Sequence, residues 1–448
     1  MSDHGNEIYD VVGVGFGPAN LSLAIALQEQ RAAGAADEIS ALFLERQFSF
    51  GWHRNMLLPS ATMQISFLKD LVTFRNPASS FSFVSYLYSM GRLPQFVNNQ
   101  DFFPTRQEFH QYLEWAQARV ADKVEYGSEV TSIRIPQDTV PELADCLQLE
   151  VAGTGGRSSR VIGARNVVIS TGLVPRMPQG TEPDERVWHS SEFLEKFRRM
   201  NAAELRRVAV VGAGQSAAEI TRFLHDELPH AEVWAIMPAY GYSIADDTPF
   251  ANQIFDPSAV DDYYFGSDQS REAFWRYHRN TNYSVVDGEV IRDLYRRAYD
   301  DEVGGIDRLH FLNLTRVTGV KRSAADTCVM LQTGSVGEVR ELDVDALVCA
   351  TGYTAMEPTS LLGDLDGHCL RDEAGHYRME RDYRVVTSPE LRCGIYLQGG
   401  TEHTHGLTSS LLSNLAVRSG EIVGSITARL AARNTDHAVG SGVRGDIR

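Results

Sequence analysis

Tyr9-Asp10-Val11-Val12-Gly13-Val14-Gly15-Phe16-Gly17-Pro18 opens the first regular stretch of the chain. About 200 residues later, Val208-Ala209-Val210-Val211-Gly212-Ala213-Gly214-Gln215-Ser216-Ala217 follows the same plan. In each, an apolar, β-rich run meets a glycine turn and then a helix-like stretch, the order that a dinucleotide-binding βαβ unit requires. The glycines Gly13, Gly15 and Gly17 let the backbone turn tightly and approach a pyrophosphate. The helix N-terminus that follows offers free N–H groups and its dipole to the phosphates. Two such units in one chain imply two nucleotides held face to face, and hence electron transfer from a nicotinamide to a flavin.

Working outward, residues 8–13 read as a buried parallel strand, 18–33 as its helix, and Ile39 to Glu45 as the second strand. Glu45, at that strand's end, is placed to accept hydrogen bonds from the ribose hydroxyls. Counted from Gly13, the first loop departs from GxGxxG at its sixth position, Pro18. In the second loop Gly212 and Gly214 are in place, Ala217 stands for the third glycine, and Gln215 and Ser216 add polar groups at the helix start. The strand after it, Glu232–Met237, ends in Ile236-Met237-Pro238, with neither an acid there for a ribose 2′-hydroxyl nor an arginine right after it for a 2′-phosphate. That loop therefore leaves NADPH and NADH both open.

Between the two units, 46–110 reads as site-building loops and short helices, Gln107 to Val120 as an amphipathic helix, and 124–170 as short strands. Residues 239–290 read as loop-rich, 342–353 as a strand, Leu411 to Leu430 as a closing helix, and the last residues as a loose tail. The expected fold class is α/β with two Rossmann-like dinucleotide-binding domains, the second inserted into the first. Residues 1–194 and 341–432 would bind FAD, with a small substrate region. Residues 195–340 would bind NAD(P)H and supply substrate-contacting loops, and 433–448 would be flexible.

Composition narrows the classes. At 448 residues with a net charge of −17, the surface repels nucleic acid and anionic lipid, so neither is an expected partner. The five cysteines include no CxxC pair, which fits a reducing compartment and excludes a dithiol reductase. No signal peptide and no membrane span is legible, so the expected location is cytoplasmic. His403 and His405 lack carboxylate partners at ligand spacing, and no metal is expected.

Several further stretches carry a resemblance: Phe50-Gly51-Trp52-His53, residues 63–73, Phe103-Pro104-Thr105-Arg106, His189-Ser190-Ser191, residues 246–252, residues 280–286, Ala350-Thr351-Gly352-Tyr353 and Thr404-His405-Gly406-Leu407. Together with the first loop, where Pro18 also fits, they resemble the flavin-dependent N-hydroxylating monooxygenases of siderophore biosynthesis, the ornithine and lysine hydroxylases. The resemblance implies an enzyme in which reduced nicotinamide gives hydride to FAD. Oxygen then adds as a C4a-hydroperoxide, and a neutral terminal amine attacks its distal oxygen. No protein nucleophile or other catalytic side chain is expected.

The resemblance places Gln64, Trp52, His53 and Leu407 near the flavin, and Thr351 and Gly352 beside the site. It gives Lys69 the substrate α-carboxylate, and gives Asn252, Asn282 and Ser410 the amino-acid end of the substrate. Ser409 stands where ornithine members often carry Asp. The expected substrate is L-ornithine, hydroxylated at N5 with NADPH (NADH possible) and O2. L-lysine at N6 or a diamine is the alternative, and a sulfur- or ketone-oxidising flavin monooxygenase or a non-catalytic flavin/nicotinamide redox sensor is a more remote one. A homo-oligomer, dimer or tetramer, is the expected assembly.

Overall fold

The structure is a computed structural model that describes residues 7–32, 39–136, 144–153, 158–322, 327–334 and 337–442. Strand β1 (Ile8–Val14), helix α1 (Pro18–Ala32) and strand β2 (Ala41–Glu45) form the first βαβ unit. Covered on both faces, the two strands are largely continuous apolar runs without alternation. β1 pairs in parallel with β2 on one side and with Arg160–Ile169 on the other. The long strand 160–169 is shared: its first half pairs with the antiparallel strand Leu147–Gly153, its second half in parallel with Gly394–Leu397. One sheet thus draws strands from both ends of the chain.

The second sheet is wholly parallel, in the order Leu309–Leu312, Glu232–Ile236, Arg207–Val211, Ala346–Cys349, Val187–His189. Its strands lie between Val187 and Cys349, reaching beyond 195–340 on both sides. A short antiparallel pair, Leu173–Pro175 with Tyr353–Ala355, ties the chain leaving the first sheet to the chain leaving the second.

Apolar burial holds each unit. Leu21, Leu23, Ile25 and Leu27 of α1 share a cluster with Ile422, Val423 and Ile426 of the C-terminal helix. Phe83, Tyr86, Phe109 and Tyr112 extend that cluster through edge-to-face and stacked rings. The helix Arg106–Ala118 is started by Thr105, whose side chain accepts from Glu108 N–H. Thr105→Ala removes that cap, and the urea midpoint should fall by the equivalent of about 1 kcal/mol. An unchanged midpoint would mean that packing alone fixes this helix.

The structure differs from the sequence reading in four places. The 239–290 stretch carries the helices Pro249–Asn252, Pro257–Tyr264 and Asp268–His278 and the start of Gly288–Val303. Residues 342–353 are divided among three strands rather than forming one: the end of Glu338–Val344, then Ala346–Cys349, then the start of Tyr353–Ala355. The closing helix begins at Leu415 and runs to Gly442, so 433–442 is helical and only 443–448 of the expected tail lies outside the described residues. The first glycine turn begins at Gly15 rather than Gly13. No described helix is long and apolar enough to cross a membrane.

Candidate active site

The two glycine loops share one geometry. Gly15 N–H donates to Leu44 O at 2.8 Å, and Gly212 N–H donates to Ile236 O at 3.0 Å. Ser170 N–H donates to Val14 O and Ala350 N–H to Val211 O, both at 2.8 Å. A Cβ on Gly15 (φ +83°) would stand 2.5 Å from Ser170 O, and one on Gly212 (φ +145°) 2.3 Å from Ala350 O. Gly15 is therefore the counterpart of Gly212, Gly17 of Gly214, and Pro18 of Gln215, each pair at the same step of loop or helix.

This corrects the frame counted from Gly13. The sixth position is Asn20, and Pro18 is the first helical residue, where a missing N–H costs nothing. Gly13 belongs to β1 and is small because the Phe43 ring would lie 2.3 Å from its Cβ. Fully buried Asn20 donates to Gly15 O at 2.7 Å and accepts from Gln398 Nε2 at 3.0 Å, fastening the loop to the chain leaving Gly394–Leu397. Neither Asn20 nor Gln398 was picked out by the sequence, because each acts through a partner far along the chain.

The donor set fits a dinucleotide. Gly17 has open space where a Cβ would stand, at the start of α1. Gln398 Oε1, Thr401 Oγ1 and Ser409 Oγ are buried without a hydrogen-bond partner among the described residues, the first of them beside the loop. Glu45 is 8% exposed; its carboxylate accepts from Phe16 N–H at 2.7 Å and Gln47 N–H at 2.8 Å, which leaves lone pairs for ribose. The position matching Glu45 in the second unit is Met237, buried and apolar.

The other sequence-derived positions fall into distinct settings. His53 has left-handed backbone (φ 48°) and packs edge-on to Trp52 at 4.7 Å and Tyr353 at 6.2 Å. Gln64 is exposed and makes no hydrogen bond among the described residues, whereas the Leu407 side chain is buried. Gln215 is spent inside the protein: its Nε2 donates to Glu219 and its Oε1 accepts from Asp287 N–H, so only its backbone faces the loop. Ser216 is half-buried, and Gly214 has nearly open space. Thr351 and Gly352 bond to Arg176, and Gly352 O also meets His189 Nε2 at 3.0 Å. His189 Nδ1 accepts from Ser191 N–H, and burial lowers its pKa, so it is a neutral structural imidazole. His403 and His405 turn to separate carbonyls, Tyr377 O and Arg381 O.

Lys69 sits in a turn closed by its own N–H to Ser66 O. Its ammonium lies 5.4 Å over the Phe255 ring and has no ion-pair partner among the described residues. Burial lowers its pKa, and nearby Asp256 opposes that shift. Asp70 next to it, buried, accepts from Val72, Thr73 and Phe83 N–H and from Thr73 Oγ, which holds the turn rigid. Asn252 ends the helix 249–252; its Nδ2 donates to Asp247 O at 2.7 Å, which leaves its Oδ1 open. Asn282 has no side-chain hydrogen bond among the described residues. Ser410 donates to Glu402 at 2.7 Å. Lys69 meets Phe255, three residues after Asn252, and Glu402 joins Ser410 to Tyr283, the neighbour of Asn282.

Arg106 bridges the two units. Its guanidinium makes two 2.9 Å bonds to Glu219 and one of 2.8 Å to Met56 O, and Glu219 is 2% exposed. A bidentate pair of this kind sets angle as well as distance between the units.

A family model described as L-lysine 6-monooxygenase/L-ornithine 5-monooxygenase matches residues 7–355. The chain is 38% identical over 444 residues to the L-ornithine N(5)-monooxygenase of Pseudomonas aeruginosa, covering 97% of this chain and 98% of that one. It is similar to the solved ornithine N-hydroxylase of Kutzneria sp. 744, described with FADred, NADP+ and L-orn: TM-score 0.90, 62% identity, 94% of this chain and 99% of that one. It is also similar to the L-lysine 6-monooxygenase of Pseudomonas syringae: TM-score 0.82, 29% identity, 94% and 99% covered.

Proposed function

The chain belongs to the L-lysine 6-monooxygenase/L-ornithine 5-monooxygenase family, and from that premise we propose that it hydroxylates the side-chain amine of L-ornithine with FAD, NADPH and O2. The observation that carries the choice of an amino acid is Lys69, an ammonium without an ion-pair partner among the described residues. A bare diamine gives such a cation nothing to bind, whereas an α-carboxylate does.

In this reading the loop Gly13–Pro18 and the start of α1 hold the FAD pyrophosphate, and Glu45 holds its ribose. Trp52, His53, Gln64 and Leu407 flank the ring. When bound, FAD supplies the oxygen chemistry, for which the protein offers no substitute. Gly212, Gly214, Ser216 and the backbone of Gln215 hold the nicotinamide coenzyme, with Thr351 and Gly352 alongside. Lys69 anchors the α-carboxylate, and Asn252, Asn282 and Ser410 orient the amino-acid end so that the distal amine points at the flavin. Phe255 and Tyr283 help to exclude water from that space.

Sheet membership supports an inserted nicotinamide unit wider than 195–340, from about 187 to 349, within an FAD unit made from both chain ends. A cytoplasmic homo-oligomer, dimer or tetramer, completes this reading; Phe250, Phe265 and Tyr277, 83%, 72% and 84% exposed, are single apolar side chains that a second copy would cover. The product would feed siderophore or related synthesis.

The test is a panel of ornithine, lysine, putrescine and cadaverine, scored for hydroxylamine with NADPH and with NADH. Ornithine should lead, and the diamines should trail by tenfold or more in kcat/KM. A diamine that matches ornithine would remove Lys69 from its role.

A further inference from the structure

Glu402 lies outside the residues singled out from the sequence, yet its carboxylate joins two segments of the site. One oxygen, Oε1, accepts from Ser410 Oγ at 2.7 Å and from the Tyr283 hydroxyl. Tyr283 follows Asn282 directly, and Ser410 ends the short helix Leu407–Ser410. The two donors come from segments 127 residues apart in sequence.

Both sides of the joint are held from behind. Gly406 (φ +70°) lies against the Tyr263 ring, where a Cβ would come within 3.1 Å. Trp275 Nε1 donates to Tyr263 OH at 2.7 Å, and the Trp275 ring lies 6.4 Å from that of Tyr283. Burial and the adjacent Glu402 carboxylate raise the Tyr283 pKa, so its hydroxyl stays a proton donor. A hydrogen bond from a neutral hydroxyl to a charged acceptor is stronger than one between neutral groups. Two such bonds on one oxygen fix the spacing of the segments that carry them.

We propose that Glu402 is a positioning residue for the amine substrate: its carboxylate clamps Tyr283 and Ser410 together and so sets the distance between the Asn282 and Ser410 sides of the pocket. This rests on the ornithine reading. It assigns Glu402 no contact with the reacting amine.

The experiment uses the FAD-loaded, full-length enzyme and measures the ornithine KM and the hydroxylamine formed per NADPH oxidised. Glu402→Ala should raise KM about tenfold and lower that ratio. Glu402→Gln, which keeps an acceptor oxygen, should recover most of the loss. Adding Tyr283→Phe to Glu402→Ala should change KM no further, because the bond it removes is already gone. A KM for Glu402→Ala within twofold of wild type overturns the clamp. So does Glu402→Gln behaving no better than Glu402→Ala, or a Tyr283→Phe effect that multiplies in full. Should Glu402→Ala fail to retain FAD, Tyr283→Phe carries the test: it should raise KM, and a KM at wild type overturns the clamp. Wild-type enzyme that makes no hydroxylamine from ornithine overturns the functional reading and this inference with it. Activity on ornithine with unaffected Glu402 variants overturns this inference alone.

Discussion

Gly15→Ala gives a protein that no longer holds FAD at micromolar concentration. Two costs add. Alanine at φ +83° pays about 1–2 kcal/mol for left-handed backbone. Its Cβ also stands 2.5 Å from Ser170 O, so either the loop or the end of the strand 160–169 has to move. In the proposed reading, movement there displaces the N–H groups that would face the pyrophosphate. Together these effects should weaken FAD by about 2 kcal/mol or more, roughly thirtyfold. Gly17→Ala separates the cofactor from the fold. That residue is outside the left-handed region and has open space for a Cβ, so the apo-protein should melt as wild type does while FAD binding weakens. Titration of apo-protein with FAD, followed by flavin fluorescence, reads both variants. Wild-type affinity in Gly15→Ala would mean that the cofactor does not use this loop.

Lys69→Ala raises the KM for ornithine by roughly 10- to 100-fold, the value of a charge-assisted hydrogen bond of about 1.5–3 kcal/mol. The flavin should still be reduced by NADPH, because Lys69 belongs to a separate turn from either glycine loop. The same substitution should hardly affect a diamine, since no carboxylate is lost from the contact. Lys69→Ala therefore narrows the gap between ornithine and putrescine, and steady-state kinetics with both substrates measures it. Loss of FAD with unchanged ornithine affinity would contradict the role given to Lys69. Lys69→Arg tests geometry: it keeps the charge but brings a wider, planar group over Phe255.

The parts of the fold that were legible in the sequence are those where burial writes a pattern. β1 and the strand Arg207–Val211 are apolar runs ending at glycine, and β2 is an apolar run ending at Glu45. The loop's frame was not legible, because three glycines spaced two apart allow two frames. Only the packing of Gly15 against Ser170 O separates them. The helices between Pro249 and His278 escaped because they are short, and their start signals are brief: Pro249 after Thr248, Pro257 after Asp256, and the cap Ser267. Val187–His189 joins the second sheet with three residues, too few to show a period. Glu402, Arg106 and Asn20 owe their places to partners more than a hundred residues away, which no local pattern encodes.

The most direct test of the central claim follows NADPH consumption and hydroxylamine formation together, in one reaction with purified, FAD-loaded protein, with and without L-ornithine. The account predicts a yellow protein that forms close to one hydroxylamine per NADPH when ornithine is present and none when it is absent. NADPH oxidation that yields no hydroxylamine at any ornithine concentration would contradict it.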